Sequence, residues 1–152
     1  MEAATLRKVA AGIDGSYAKA VELILRCRGK VAVTGVGKSG LIAQKVAATL
    51  TSTGTPAFFI HPGDALHGDV GTIQKQDVVL AFGKSGESAE LNDLLPALRR
   101  IGAKLVAVVA KPRSTLGRAA DITVSFPIDR EACPLNLAPT SSTTAAMAIG
   151  DA

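Results

Sequence analysis

Lys30-Val31-Ala32-Val33-Thr34-Gly35-Val36-Gly37-Lys38-Ser39-Gly40 is the stretch on which the fold of this chain turns. A short apolar, β-branched run ending in glycine reads as a buried strand entering a loop, and the polar residues behind it read as a helix start. Outward from it the theme repeats. Pro56-Ala57-Phe58-Phe59-Ile60, Asp77-Val78-Val79-Leu80-Ala81-Phe82 and Lys104-Leu105-Val106-Ala107-Val108-Val109 are further runs of the same kind, and Asp121-Ile122-Thr123-Val124-Ser125 is a fifth. Helical stretches lie between them, from Ser39 to about Leu50, from Glu87 to Ile101 and from Ser114 to Ala119. Pro96 predicts a kink or a late start in the second of these, because proline has no N–H for an interior helical position. Residues up to about Arg28 also read as helical: Tyr17, Ala20, Val21, Ile24 and Leu25 recur at i, i+3, i+4, with Lys19, Glu22 and Arg26 on the other side.

Strands alternating with helices predict a three-layer α/β/α sandwich of flavodoxin/Rossmann-like topology, with a roughly five-stranded, mostly parallel sheet. No linker or low-complexity tract interrupts it, so residues 1–152 read as a single domain, with 1–29 as an N-terminal helical segment. Hydrophobic residues make up 47% of the chain but aromatics only 3%, which leaves Val, Ile, Leu and Ala to fill the core of a buried sheet. The same poverty argues against single-stranded nucleic-acid binding, which stacks bases on aromatic side chains.

The net charge of +4 suits an anionic partner, yet the basic residues are scattered, with no run that marks a nucleic-acid or membrane arm. Cys27 and Cys133 show no CxxC spacing and read as free thiols in a reducing compartment. Met1 to Ile13 carries Glu2, Arg7 and Lys8 and lacks a signal-peptide core, and no stretch reaches membrane-spanning length. The expected location is the cytoplasm.

Two loops share four letters, Gly37-Lys38-Ser39-Gly40 and Gly83-Lys84-Ser85-Gly86, and each is expected to follow a strand and open a helix. A third polar cluster, Thr140-Ser141-Ser142-Thr143-Thr144, is expected to cap the last helix. Unpaired N–H groups and the positive dipole end at a helix start attract anions, and glycine lets the backbone come close. Three such starts predict a phosphate cradle. A triphosphate P-loop is excluded because the glycine it requires is replaced by Ala32 or Val78. Gly35-Val36-Gly37-Lys38-Ser39-Gly40 does match a dinucleotide fingerprint, but the second strand ends Phe59-Ile60-His61-Pro62, without the acid that would hold a ribose. A zinc site at His61 and His67 finds no third ligand at suggestive spacing.

The same loops carry a family resemblance. Thr34 to Gly40, Gly54-Thr55-Pro56, His61-Pro62-Gly63, His67-Gly68-Asp69, Ser85-Gly86-Glu87-Ser88, Glu131-Ala132-Cys133-Pro134-Leu135 and Leu137 to Thr144 follow one another in order. Together they resemble the sugar isomerase (SIS) domain of the D-arabinose-5-phosphate isomerase family, from about Lys30 to the end. The resemblance implies interconversion of D-ribulose 5-phosphate and D-arabinose 5-phosphate through a cis-enediol, feeding the eight-carbon acid sugar of lipopolysaccharide or capsule. Neither a metal nor another cofactor is implied. A homo-oligomer, tetrameric in the family, is implied, as is a C-terminal part beyond Ala152 with a site-completing His and a paired CBS module.

By resemblance, the catalytic positions are Lys38, His67, Glu90 and Glu131, and the sugar-phosphate contacts are drawn from Gly37, Ser39, Lys84, Ser85, Gly86, Ser88, Thr140 and Ser141. Lys38 would stabilise an oxyanion or sugar hydroxyl, or equally contact the phosphate. Glu90 and Glu131 are the acid–base candidates, against readings as a helix-dipole acid and as a surface partner of Arg130. His67 would shuttle a proton or order its loop. The second loop departs from the family's Ser-Asn-Ser-Gly-Glu, and Lys84 would compensate by pairing with phosphate as a point charge. Two other readings stay open: a non-catalytic sugar-phosphate sensor, and an isomerase of another ketose phosphate such as a hexulose 6-phosphate.

Overall fold

In the computed structural model, which describes residues 1–152, the strand runs sit where alternation places them. β1 (Val31–Gly35), β2 (Ala57–Phe59), β3 (Val78–Gly83), β4 (Lys104–Val109) and β5 (Ile122–Ser125) form one sheet in the order β2-β1-β3-β4-β5. Every neighbouring pair is parallel, so the sheet is wholly parallel. In β1 all residues are buried, because helices cover both faces.

The pleat divides the core in two. Val31, Val33, Leu80, Phe82, Val106 and Val108 face one side. There they meet α1 (Glu2–Gly12), α2 (Gly15–Leu25), α3 (Lys38–Ser52) and α7 (Ser141–Asp151) through residues such as Val9, Ala20, Val46 and Ala145. Ala32, Val79, Ala81, Leu105 and Ala107 face the other, against α4 (Pro62–Leu66), α5 (Ala89–Ile101) and α6 (Thr115–Ala119). At the opposite edge from the loops, Asp77 is buried and accepts from the Lys30 and Gln74 amides, tying the entry of β3 to that of β1.

Three local expectations change. The N-terminal segment is two helices rather than one, broken at Ile13–Asp14, where the Asp14 side chain accepts from Ser16 N at 2.8 Å and caps α2. Pro96 lies inside α5, which begins seven residues earlier at Ala89. Its side chain is exposed, so the Asn92 carbonyl it leaves without an amide donor is on the solvent side. The stretch after β2 forms α4, with Pro62 at its first position and His61 as N-cap, accepting from Gly63 N through Nδ1. A single 3-10 turn follows at Asp69–Thr72.

Candidate functional site

In this sheet order the helix leaving β1, α3, lies on one face and the helix leaving β3, α5, on the other, which opens a crevice beyond the carboxyl ends of these neighbouring strands. Gly35 is paired with Phe82, so β3 runs just one residue beyond the end of β1. From β1 the chain turns at once into α3, and the turn is tight: a Cβ on Gly35 would lie 2.8 Å from Ser39 O, and one on Gly40 would lie 2.8 Å from Gly35 O. Only glycines allow strand and helix this close. Gly37 is the N-cap, and Lys38 and Ser39 sit in the first turn of α3.

The second loop is built differently from its sequence twin. Gly83 ends β3, but α5 does not open until Ala89, with Ser88 as N-cap. Gly86 turns the chain with φ +66°, and a Cβ there would lie 2.0 Å from Ser114 Oγ, the N-cap of α6. The Ser85 hydroxyl accepts from Glu87 N, and Glu87 in turn accepts from Thr115 N; the Thr115 side chain, and then this amide, lower the Glu87 pKa. The shared letters therefore serve two ends: a direct helix start in the first loop, a strap across α6 in the second.

A cleft of about 130 Å³ lies at this crevice, lined by Val36, Lys38, Ser39, Ile42, Gly83, Lys84, Phe126, Pro139, Ser142, Thr143 and Ala146. It is walled by the first turns of α3 and α7, each giving residues at i, i+1 and i+4: Lys38, Ser39 and Ile42, then Ser142, Thr143 and Ala146. Two lysines face it and no carboxylate lines it. The N-terminus of α3 and two cations make a place for an anion.

Behind Lys84 stands Glu131, the expectation that changes most. It is fully buried, not a surface partner of Arg130. Its carboxylate accepts from Lys84 Nζ at 2.6 Å, Ser142 Oγ at 2.5 Å, Thr140 N at 2.9 Å and Ser142 N at 3.0 Å, with Thr140 Oγ1 at 3.3 Å. Its own amide donates to Asn136 Oδ1. Burial pushes the carboxyl up, but hydrogen bonds from Lys84, Ser142 and the two amides outweigh it and lower the pKa to about 2. The polar cluster thus does not cap α7 through its own side chains, since Thr140 makes no side-chain cap bond; Glu131 does the capping from outside the helix.

Of the residues singled out in the sequence, Lys38, Ser39 and Lys84 meet in the cleft. Thr140 joins the Glu131 network, while Ser141 is buried with an unpartnered hydroxyl. Gly37, Ser85, Gly86, Ser88 and Ser141 do not line the cleft, nor do Glu90 in the first turn of α5 and His67 at the end of α4, both exposed. Ser142 and Thr143 were missed although they lie in the same polar cluster; placing the helix start at Ser141 rather than near Ala145 would have found them. No group of three or more His, Cys, Asp or Glu is placed to hold a metal ion, and both cysteines are free.

The family model described as the SIS domain matches residues 24–152. The Francisella tularensis subsp. tularensis arabinose 5-phosphate isomerase KdsD is 50% identical over 155 aligned positions, which cover 100% of this chain and 47% of that protein. The Yersinia pestis protein of the same name is 54% identical over 140 positions, 92% of this chain and 43% of its own. The chain therefore spans less than half the length of these curated relatives. An Escherichia coli CFT073 structure solved in complex with arabinose 5-phosphate has a TM-score of 0.90 and 42% identity, covering 97% of this chain and 80% of that one.

Proposed function

The chain belongs to the SIS domain family, and we propose that it acts on a pentose phosphate, interconverting D-ribulose 5-phosphate and D-arabinose 5-phosphate. The observation that carries this reading is the cleft at the ends of β1 and β3, where Lys38 and Lys84 face the N-terminal turns of α3 and α7. Such a cleft suits a dianionic phosphate, and gripping the remote phosphate aligns the reacting carbons. The identity to KdsD proteins and the likeness to a protein solved with arabinose 5-phosphate support the pentose.

The reaction moves one proton between adjacent carbons. A base removes it from the carbon next to the open-chain carbonyl, the carbonyl oxygen gains negative charge, and an enediol forms. Reprotonation at the neighbouring carbon then completes the exchange. With Lys38 turned to the phosphate, the developing oxyanion requires another hydrogen-bond donor. Of the two carboxylates singled out by resemblance, Glu90 is exposed to solvent outside the cleft lining, whereas Glu131 is enclosed.

Incubating the intact protein with D-ribulose 5-phosphate in deuterium oxide tests this. The expected product is D-arabinose 5-phosphate carrying deuterium at C2, followed by NMR. Saturable binding with no isomerisation and no exchange would instead mean a sensing domain, and turnover confined to a hexulose 6-phosphate would replace the pentose.

A further inference from the structure

Glu131 is the only carboxylate hydrogen-bonded to residues that line the cleft, which makes it the obvious candidate for a base. Its surroundings oppose that role. A carboxylate offers about four lone-pair sites, and here five donors converge on it. With no exposed surface either, it has no site left for a substrate proton. A general base must come within about 2.6–3.2 Å of the proton it takes, directly or through one water.

What the carboxylate does hold is Lys84. The Lys84 side chain is 48% exposed, and one of its three ammonium donors is committed to Glu131 Oε1, leaving two for the cleft. The two α7 hydroxyls that line the cleft are committed as donors elsewhere: Ser142 Oγ to Glu131 and Thr143 Oγ1 to the Thr140 carbonyl. An anion in the cleft must therefore look chiefly to the two lysines and the first turn of α3.

We propose that Glu131 and Lys84 form a positioning pair, in which the buried carboxylate anchors the ammonium against the cleft wall for the phosphate of the ligand and takes no substrate proton itself. The proposal rests on the sugar-phosphate reading above and assigns the two residues within it. It leaves Glu90 as the proton acceptor among the carboxylates singled out.

The test compares Lys84→Met, Lys84→Arg, Glu131→Gln and Glu90→Gln in the intact protein, using calorimetric affinity for inorganic phosphate and for D-arabinose 5-phosphate alongside steady-state kinetics. Loss of a charge-assisted bond to phosphate raises Kd by about tenfold. Lys84→Met and Glu131→Gln are expected to raise Kd and KM by that order with only a few-fold change in kcat, and Lys84→Arg to recover most of it. Glu90→Gln is expected to lower kcat on the order of 10²–10⁴-fold with Kd unchanged.

The acid limb of kcat/KM gives a readout that a structural defect would not move. Lys84 is the one charged group bonded to Glu131, so its removal must raise the pKa of Glu131. If Glu131 were the base, the limb would shift upward in Lys84→Met; under the proposal it stays in place. A shifted limb, or a Glu131→Gln variant that loses more than about 10²-fold in kcat at unchanged Kd, overturns the proposal. Should Glu131→Gln not fold, the Lys84 variants carry the test, since that side chain is half exposed. Normal turnover with phosphate affinity indifferent to Lys84 removes the pair and spares the substrate reading. Phosphate affinity that depends on Lys84 in a protein inert to both pentose phosphates does the reverse.

Discussion

A carboxylate whose pKa falls from 4.5 to about 2 on folding ties stability to pH in one direction. The unfolded chain binds that proton more readily than the folded one. The contribution is therefore complete above about pH 5 and is lost as pH falls through the folded value. A tenfold difference in proton affinity between the two states is worth about 1.4 kcal/mol, so Glu131 contributes on the order of 3 kcal/mol at neutral pH. Denaturant titrations between about pH 6 and 2.5 should show stability dropping on acidification, and Glu131→Gln should flatten that drop while lowering stability at neutral pH. An unchanged slope in the variant would mean that other groups carry the acid sensitivity. None of this was legible locally. Glu131 lies in an irregular segment with no periodicity to reveal its burial. Its partners Lys84 and Ser142 are 47 residues before it and 11 residues after it, so in the sequence only Arg130 stood close enough to suggest a pair.

Among the elements, strands and long helices could be read because a buried sheet imposes apolar β-branched runs and a half-buried helix imposes a stripe. α4 leaves no such trace. It has five residues, Pro62–Leu66, too few for periodicity, and only the His61-Pro62-Gly63 start encodes it. The twin loops misled for a related reason: four letters fix a turn's flexibility but not its length, and what lengthens the second is α6, packed against Gly86. A Gly86→Ala variant tests that packing. The added methyl would meet Ser114 at a positive φ, and backbone strain with an α6 cap displaced should cost about 2–4 kcal/mol. Thermal melts read the loss directly; a variant as stable as the parent would show that the strap yields freely.

For the whole molecule, the wholly parallel order β2-β1-β3-β4-β5 has a bearing on time as well as on space. β1 cannot complete its central pairing until residues 36–77, which include α3, β2 and α4, have been looped out or formed, since its partner Val31↔Val78 lies beyond them. Closing such a loop costs entropy before any contact rewards it, and folds dominated by distant pairings cross their barrier slowly. Because its loop is the costly one to close, the β1–β3 seam is expected to form at the barrier, with β5, at the far edge and only partly buried, docking after it. Val33→Ala and Val79→Ala, both at fully buried positions, should slow refolding with φ values of about 0.5–0.8, whereas Ile122→Val should act mainly on unfolding with φ below about 0.3. Stopped-flow chevrons distinguish these, and equal φ at the seam and the edge would mean a diffuse barrier. The crevice that receives the ligand would then be the oldest part of the structure in each folding event, outlined at the transition state before the outer strand has docked.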